Sequence, residues 1–258
     1  IHSSGRAMTY ADIAKVAKAP AELPKVDKSM LKPMAQFRLI GNKDIPRVDV
    51  AAKSSGQAKY GIDQRLPGML WASVLRAPVQ GEVPESVDDS AARAVAGVKN
   101  VVRLPYGVAV VADSFYTAKT ARDQLKVTWS QKAKARVQYT DQMRVEYIKR
   151  AEDLNDKGVA FIAHGDAAKQ LAGATRTFSA TYTSEMVSHI CLEPMNCTAR
   201  VDGDKIEVWA PAQSASFVTG TVAGAGGFKP ENIKVNITLL GGGFGRRVEA
   251  DYTADAAL

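Results

Sequence analysis

The chain has 258 residues, 46% of them hydrophobic and 24% charged, which is enough for one large or two medium domains with real cores and excludes a disordered chain. The net charge of +7 is scattered; the densest basic run, Gln131-Lys132-Ala133-Lys134-Ala135-Arg136, is short and has no aromatic platform, so nucleic acid is not an expected partner. No apolar run approaches the roughly 18–20 residues needed to span a bilayer, and no signal-type segment opens the chain.

In chain order, Thr9 followed by Asp12 predicts a helix start, leading into an alanine-rich segment that Pro20 ends. Residues 21–50 carry Pro24, Pro33 and Pro46 among lysines and aspartates and read as an extended surface connector. A strand is predicted over 69–75, after the Leu66-Pro67-Gly68 turn, and a helix opened by Asp88-Asp89-Ser90 and closed by Gly97. Strands follow over 98–104 and 108–112, then a helix capped by Asp113-Ser114, then a strand over 125–129. Val145, Ile148, Ala151 and Leu154 recur at helical spacing after Thr140 and Asp141.

The last unit reads as strands over 175–182, 197–201, 206–209 and 233–240, with Asp202-Gly203-Asp204 as a hairpin turn. Between the last two strands a helix runs from Ser214 to Ala223, ended by Gly226-Gly227. Ile1 is not a methionine and Leu258 falls within a helical pattern, so both ends read as internal points of a longer chain. Cys191 and Cys197 are too few for a four-thiolate iron–sulfur cluster and lack zinc spacing; free thiols are expected rather than a disulfide.

Three segments carry chemistry. In Leu239-Leu240-Gly241-Gly242-Gly243-Phe244-Gly245-Arg246-Arg247 a hydrophobic strand runs into glycines, whose successive N–H groups can form an anion-binding concavity beside two arginines. A dinucleotide fingerprint starting at Gly241 would need glycine at 246, and a P-loop would need Lys-Ser/Thr after Gly245, so neither familiar phosphate loop fits. A glycine-rich strand bend packed on a neighbour is the plain alternative.

The second segment, 188–199, packs His189, Glu193 and Asn196 into a short irregular stretch. His189 reads as a core or capping residue as readily as a catalyst, and Glu193, held extended by Pro194, as a hydrogen-bond acceptor as readily as an acid. No nucleophile elbow is present. In the third, Val208-Trp209-Ala210-Pro211-Ala212-Gln213-Ser214, Gln213 stands at a helix start, as a ligand contact or an ordinary cap residue.

The glycine run, Leu192-Glu193-Pro194-Met195-Asn196 and Trp209-Ala210-Pro211-Ala212-Gln213 resemble, in order and spacing, the molybdopterin-binding large subunit of the xanthine oxidase/aldehyde oxidase superfamily. The likeness is nearest to the isoquinoline 1-oxidoreductase β-subunit branch. Gly56-Gln57-Ala58-Lys59-Tyr60-Gly61-Ile62-Asp63 and Leu66-Pro67-Gly68-Met69-Leu70 resemble that family's α/β hammerhead domain. The resemblance implies an α+β fold: an N-terminal helix and linker over 1–45, a hammerhead-like domain over 46–131, and the first part of a molybdopterin-binding domain over 132–258.

It further implies a molybdenum hydroxylase acting on an N-heterocycle or aldehyde, with oxygen from water and a molybdopterin in cytosine dinucleotide form. An iron–sulfur or other electron-acceptor subunit is the implied partner, with a periplasmic location suggested by the branch and a cytoplasmic one as alternative. Gly242, Gly243, Phe244, Gly245, Arg246 and Gln213 match the cofactor-contacting motifs. Two departures stand out. Val187 and Ser188 occupy the stretch where much of the superfamily has an oxo-contacting glutamine, and no Gly-Glu segment carrying the family's base occurs before Leu258. No catalytic or metal-ligating residue is therefore expected in this chain, which by itself is expected to be inactive and without cofactor. A nucleotide-binding α/β protein and a non-catalytic interaction module are the rival readings.

Overall fold

The computed structural model describes all residues except Ile1, His2, Ala19 and Lys157. It divides into two units, Ile1–Gln57 and Ala58–Leu258. The first holds two short helices, α1 (Tyr10–Val16) and α2 (Val50–Ser54), with single helical turns at Lys28–Met30 and Met34–Gln36. Thr9 caps α1 by accepting from the Asp12 N–H, as its position before the alanine-rich segment predicts. Residues 20–48 are otherwise turns and coil, in keeping with a proline-punctuated connector.

In the second unit β1 (Trp71–Arg76), β3 (Val98–Leu104) and β4 (Gly107–Ala112) form an antiparallel sheet in the order β1-β4-β3. β4 is its centre because Val108, Ala109, Val110 and Ala112 are apolar on both faces and buried. A separate antiparallel ladder joins β2 (Pro84–Asp88) to β5 (Lys126–Trp129). The polar sequence of β2 gives no alternation to read, so the sequence prediction passes over it. Helices α3 (Ser90–Arg93) and α4 (Phe115–Arg122) cover the sheet, burying Ala92 and Ala121 against Val110. The Ser114 hydroxyl accepts from the Thr117 N–H at 3.0 Å. Ser114→Ala should lower stability by about 0.5–2 kcal/mol in thermal denaturation, because a helix-end donor loses its acceptor.

Helices α5 (Thr140–Glu152) and α6 (Ala167–Ala172) follow, neither with a buried residue. The strand expected over 175–182 does not form; those residues are exposed coil. The β-branched pattern is there, but no neighbouring strand pairs with it, and an unpaired strand leaves its backbone groups without partners. No helix among the described residues is long and apolar enough to cross a membrane.

The last sheet determines the site. β6 (Thr198–Asp202) and β7 (Lys205–Ala210) form an antiparallel hairpin whose turn is carried by Gly203. α7 (Ala215–Gly226) then crosses to β8 (Ile233–Ile237), which pairs with β7 in parallel. Ile206, Val208, Val218, Val222 and Tyr252 build the core between this sheet, α7 and α8 (Asp251–Ala257). β8 stops at Ile237 rather than running to Leu240, leaving Leu239 in a single parallel bridge with Tyr60. Because β7 and β8 are parallel, the segments after them leave from one end of the sheet. Pro211–Ser214 and the glycine run are neighbours for that reason, at the kind of strand end where open sheets bind ligands.

Candidate functional site

The Glu193 carboxylate sits at the centre of this end, 7% exposed. Its Oε1 accepts from the Ile62 N–H at 2.9 Å and from Asn196 Nδ2 at 3.0 Å. Its Oε2 accepts from the Gly241 N–H at 2.8 Å and pairs with Arg247 Nη2 at 3.0 Å. The carboxylate thus accepts three hydrogen bonds and makes one ion pair. The Glu193 N–H in turn donates to the Gly241 carbonyl at 3.1 Å, so the two segments are stitched in both directions. By sequence Glu193 reads as acid or acceptor alike; here both carboxylate oxygens are engaged within the protein, as acceptors and in an ion pair.

Arg247 has no exposed surface at all. Its Nε donates to the Gly242 carbonyl at 2.8 Å, its Nη1 to Pro211 at 3.2 Å and its Nη2 to the Glu193 carbonyl at 2.7 Å. One guanidinium therefore ties the glycine run, the Glu-Pro segment and the turn after β7 together, a use of its rigid fork that lysine could not copy. Tyr252 shares the Pro211 carbonyl, its hydroxyl donating at 3.0 Å, and burial pushes that phenol up to about 12. Sequence patterning had offered Arg247 as a charge for a ligand. The structure directs it inward.

Arg246 is also engaged. It makes a two-pronged pair with Asp251, at 2.8 and 3.0 Å, and reaches Glu249 at 3.5 Å. The hydrogen bond and charge of Asp251 raise its already high pKa. Asp251 is half-buried, which pushes its pKa up, but Arg246 and Arg76 outweigh that and hold it below the usual carboxylate range.

The glycines themselves fall into distinct roles. A Cβ on Gly241 would stand 2.5 Å from the Glu193 Cβ, so only glycine permits that close approach. Gly245 has φ 95°, a left-handed value that side chains rarely adopt. Between them Phe244 is itself left-handed at φ 52° and 75% exposed, an aromatic ring held out from the turn by a backbone it does not favour. The Gly241 N–H is taken by Glu193 and the Gly245 N–H by Gln213 Oε1 at 3.1 Å. The three N–H groups between them, of Gly242, Gly243 and Phe244, have no acceptor among the described residues, although Gly243 is buried.

Gln213 lies just before Ser214, which caps α7 by accepting from the Phe217 N–H. Its backbone N–H donates to the Arg247 carbonyl, and its amide oxygen would collide with a Cβ on Gly243 at 2.7 Å. The six residues singled out in the sequence are thus adjacent in space. His189 reaches the same place, its Nε2 standing 3.9 Å from where a Gly245 Cβ would be. Ile190 beside it has φ 41°, a strained value for a β-branched residue. Sequence reasoning missed the links through Ile62 and Gly61, whose absent side chain lets Pro211 and Asn196 close to within 2.5 and 2.7 Å of its Cβ position. Nothing in the spacing of those residues announces the contact.

Both cysteines are free, as expected. Cys191 donates to the Gly243 carbonyl at 3.5 Å, while burial, with a smaller contribution from Asp255, pushes the Cys197 thiol up to about 12. Cys197 should therefore resist alkylation by iodoacetamide at pH 8 until the protein is unfolded, which mass spectrometry of the labelled peptides would read.

A buried carboxylate–guanidinium pair thus supports a glycine turn in which three successive N–H groups have no acceptor among the described residues. Residues 151–258 match the molybdopterin cofactor-binding domain family. The chain is 36% identical over 252 residues to the isoquinoline 1-oxidoreductase subunit beta of Brevundimonas diminuta, covering 93% of this chain and 31% of that protein. It is 32% identical over 269 residues to a membrane-bound aldehyde dehydrogenase (pyrroloquinoline-quinone) of Gluconacetobacter polyoxogenes, covering all of this chain and 34% of that one. Its fold is similar to the aldehyde oxidoreductase of Desulfovibrio gigas, with a TM-score of 0.60 at 19% identity over 82% of this chain and 28% of the other. Residues 151–258 thus carry a molybdopterin cofactor-binding domain, and the chain, similar along nearly its whole length to these subunits of molybdenum enzymes, spans about a third of the length of these curated relatives.

Proposed function

We propose that the complete protein containing this chain is a molybdenum-dependent oxidoreductase that hydroxylates an N-heterocycle or oxidises an aldehyde, and that this chain supplies one side of its cofactor cradle. The observation that carries the reading is the run of three free N–H donors at Gly242, Gly243 and Phe244, bounded by the engaged N–H groups of Gly241 and Gly245. Such donors suit the oxygens of a molybdopterin cofactor, for which we propose the cytosine dinucleotide form.

When bound, that group supplies two-electron oxidation at molybdenum, with water as the source of the oxygen introduced. Gly242, Gly243, Phe244 and Gly245 would line it, with Gln213 beside Gly243. Arg246 would contribute to a phosphate only after exchanging part of its pairing with Asp251. The exposed Phe244 ring would shield the cradle from water on its open side. Residues 46–131, carrying the β1-β4-β3 sheet, are read as a hammerhead-type domain, and 132–258 as the opening of the cofactor domain. The electron acceptor is a separate redox subunit in this reading, and the periplasm the proposed location.

Elemental analysis of the complete purified protein tests the proposal, with the released cofactor identified by chromatography. Stoichiometric molybdenum with a pterin nucleotide is the expected result. A protein holding pyrroloquinoline quinone and no molybdenum would overturn it.

A further inference from the structure

We propose that Glu193, acting through Arg247, is the positioning residue of the cofactor turn. It holds the backbone so that the Gly242, Gly243 and Phe244 N–H groups stay free of protein acceptors and converge on one ligand. The inference rests on the reading of that turn as a cofactor cradle. It concerns residues that would not touch the cofactor: Glu193 is 7% exposed and Arg247 wholly buried.

The turn is clamped at both ends. On one side Glu193 takes the Gly241 N–H and Arg247 takes the Gly242 carbonyl. On the other, Gln213 takes the Gly245 N–H. Only the three donors in between are left over. A glycine-rich loop has many alternative conformations open to it, and free N–H groups ordinarily find a nearby carbonyl. Fixing the two flanking peptides removes those alternatives, which is what preorganised donors require. The same carboxylate reaches Ile62 and Asn196, so the clamp is referenced to the start of the second unit and to the segment leading into β6. Neutralising Glu193 would put an amide N–H against one of its present donors, Ile62, Asn196, Gly241 or Arg247, and leave the buried guanidinium unpaired.

The test uses the complete cofactor-loaded protein, with Glu193→Gln and Arg247→Lys compared with wild type. Ser114→Ala, a destabilised variant in the cap of α4, serves as control. Each is held at the same interval below its own melting midpoint, and loss of molybdenum is followed by elemental analysis alongside the electron paramagnetic resonance of the metal. Glu193→Gln is expected to lose cofactor about 10- to 100-fold faster, with an altered metal signal, the range typical of residues that orient ligands without touching the metal. Arg247→Lys, which keeps the charge but not the fork, should fall between it and wild type, and Ser114→Ala should match wild type. Wild-type rates and signal in Glu193→Gln would overturn the clamp while leaving the cradle reading intact; a wild-type protein without molybdenum would remove the cradle reading itself. Should Glu193→Gln not fold, Arg247→Lys decides alone: cofactor loss faster than in Ser114→Ala supports the device, and a wild-type rate overturns it.

Discussion

Replacing Arg247 by methionine should lower folding stability by about 3–5 kcal/mol, the range for removing one partner of a buried ion pair. The size follows from what is left behind. Glu193 keeps its three hydrogen bonds, but its charge stays in the interior with no opposite charge in contact. The carbonyls of Gly242 and Glu193 lose a donor in the same step, while that of Pro211 keeps the Tyr252 hydroxyl. Urea denaturation of the complete protein checks the figure. The double change Arg247→Met with Glu193→Gln should recover part of the loss, because it removes the stranded charge. A single change within about 0.5 kcal/mol of wild type, as at ordinary surface positions, would show that the pair contributes nothing.

Gly241→Ala is the second large effect, and its cause is steric. The new methyl carbon would stand 2.5 Å from the Glu193 Cβ and 3.3 Å from its backbone nitrogen. Neither atom is the end of a flexible side chain, so the Glu193 segment must shift and stretch the paired bonds between Glu193 and Gly241. Overpacking of this kind costs about 1–3 kcal/mol. Alanine at Gly243 meets instead the amide of Gln213, an exposed side chain that can swing away, and should cost less stability while losing the Gln213–Gly245 bond. Thermal midpoints of the two variants, measured side by side, separate backbone from side-chain collision; a larger drop for Gly243→Ala would reverse that assignment.

Local signals were read wherever a residue's chemistry acts on its own neighbours. The Ser114 and Ser214 caps, the hairpin turn at Gly203 and the strand–helix–strand order from β7 to β8 all depend on contacts within a few residues. The unpaired stretch 175–182 failed for the opposite reason: its pattern describes a strand, but a strand is completed by another segment, and local sequence cannot supply one. β2 shows the reverse case, since pairing with β5 makes a strand from residues with no periodic signal.

The candidate site divides along the same line. The sequence alone determined that a glycine run follows a hydrophobic strand and that it fits neither common phosphate loop, which are properties of residue type and spacing. That Gly242, Gly243, Phe244, Gly245, Arg246 and Gln213 belong to one motif set is implied only by the family resemblance. Only the tertiary structure decided what the charges do. Arg246 and Arg247 are neighbours in sequence with identical side chains, yet one pairs with Asp251 at the surface of the turn and the other is buried against Glu193. Their fates differ because the antiparallel pairing of β6 with β7 and the parallel pairing of β7 with β8 bring Glu193, Pro211 and Gly242 around position 247, and a guanidinium surrounded by carbonyls and a carboxylate is held there rather than offered to a ligand.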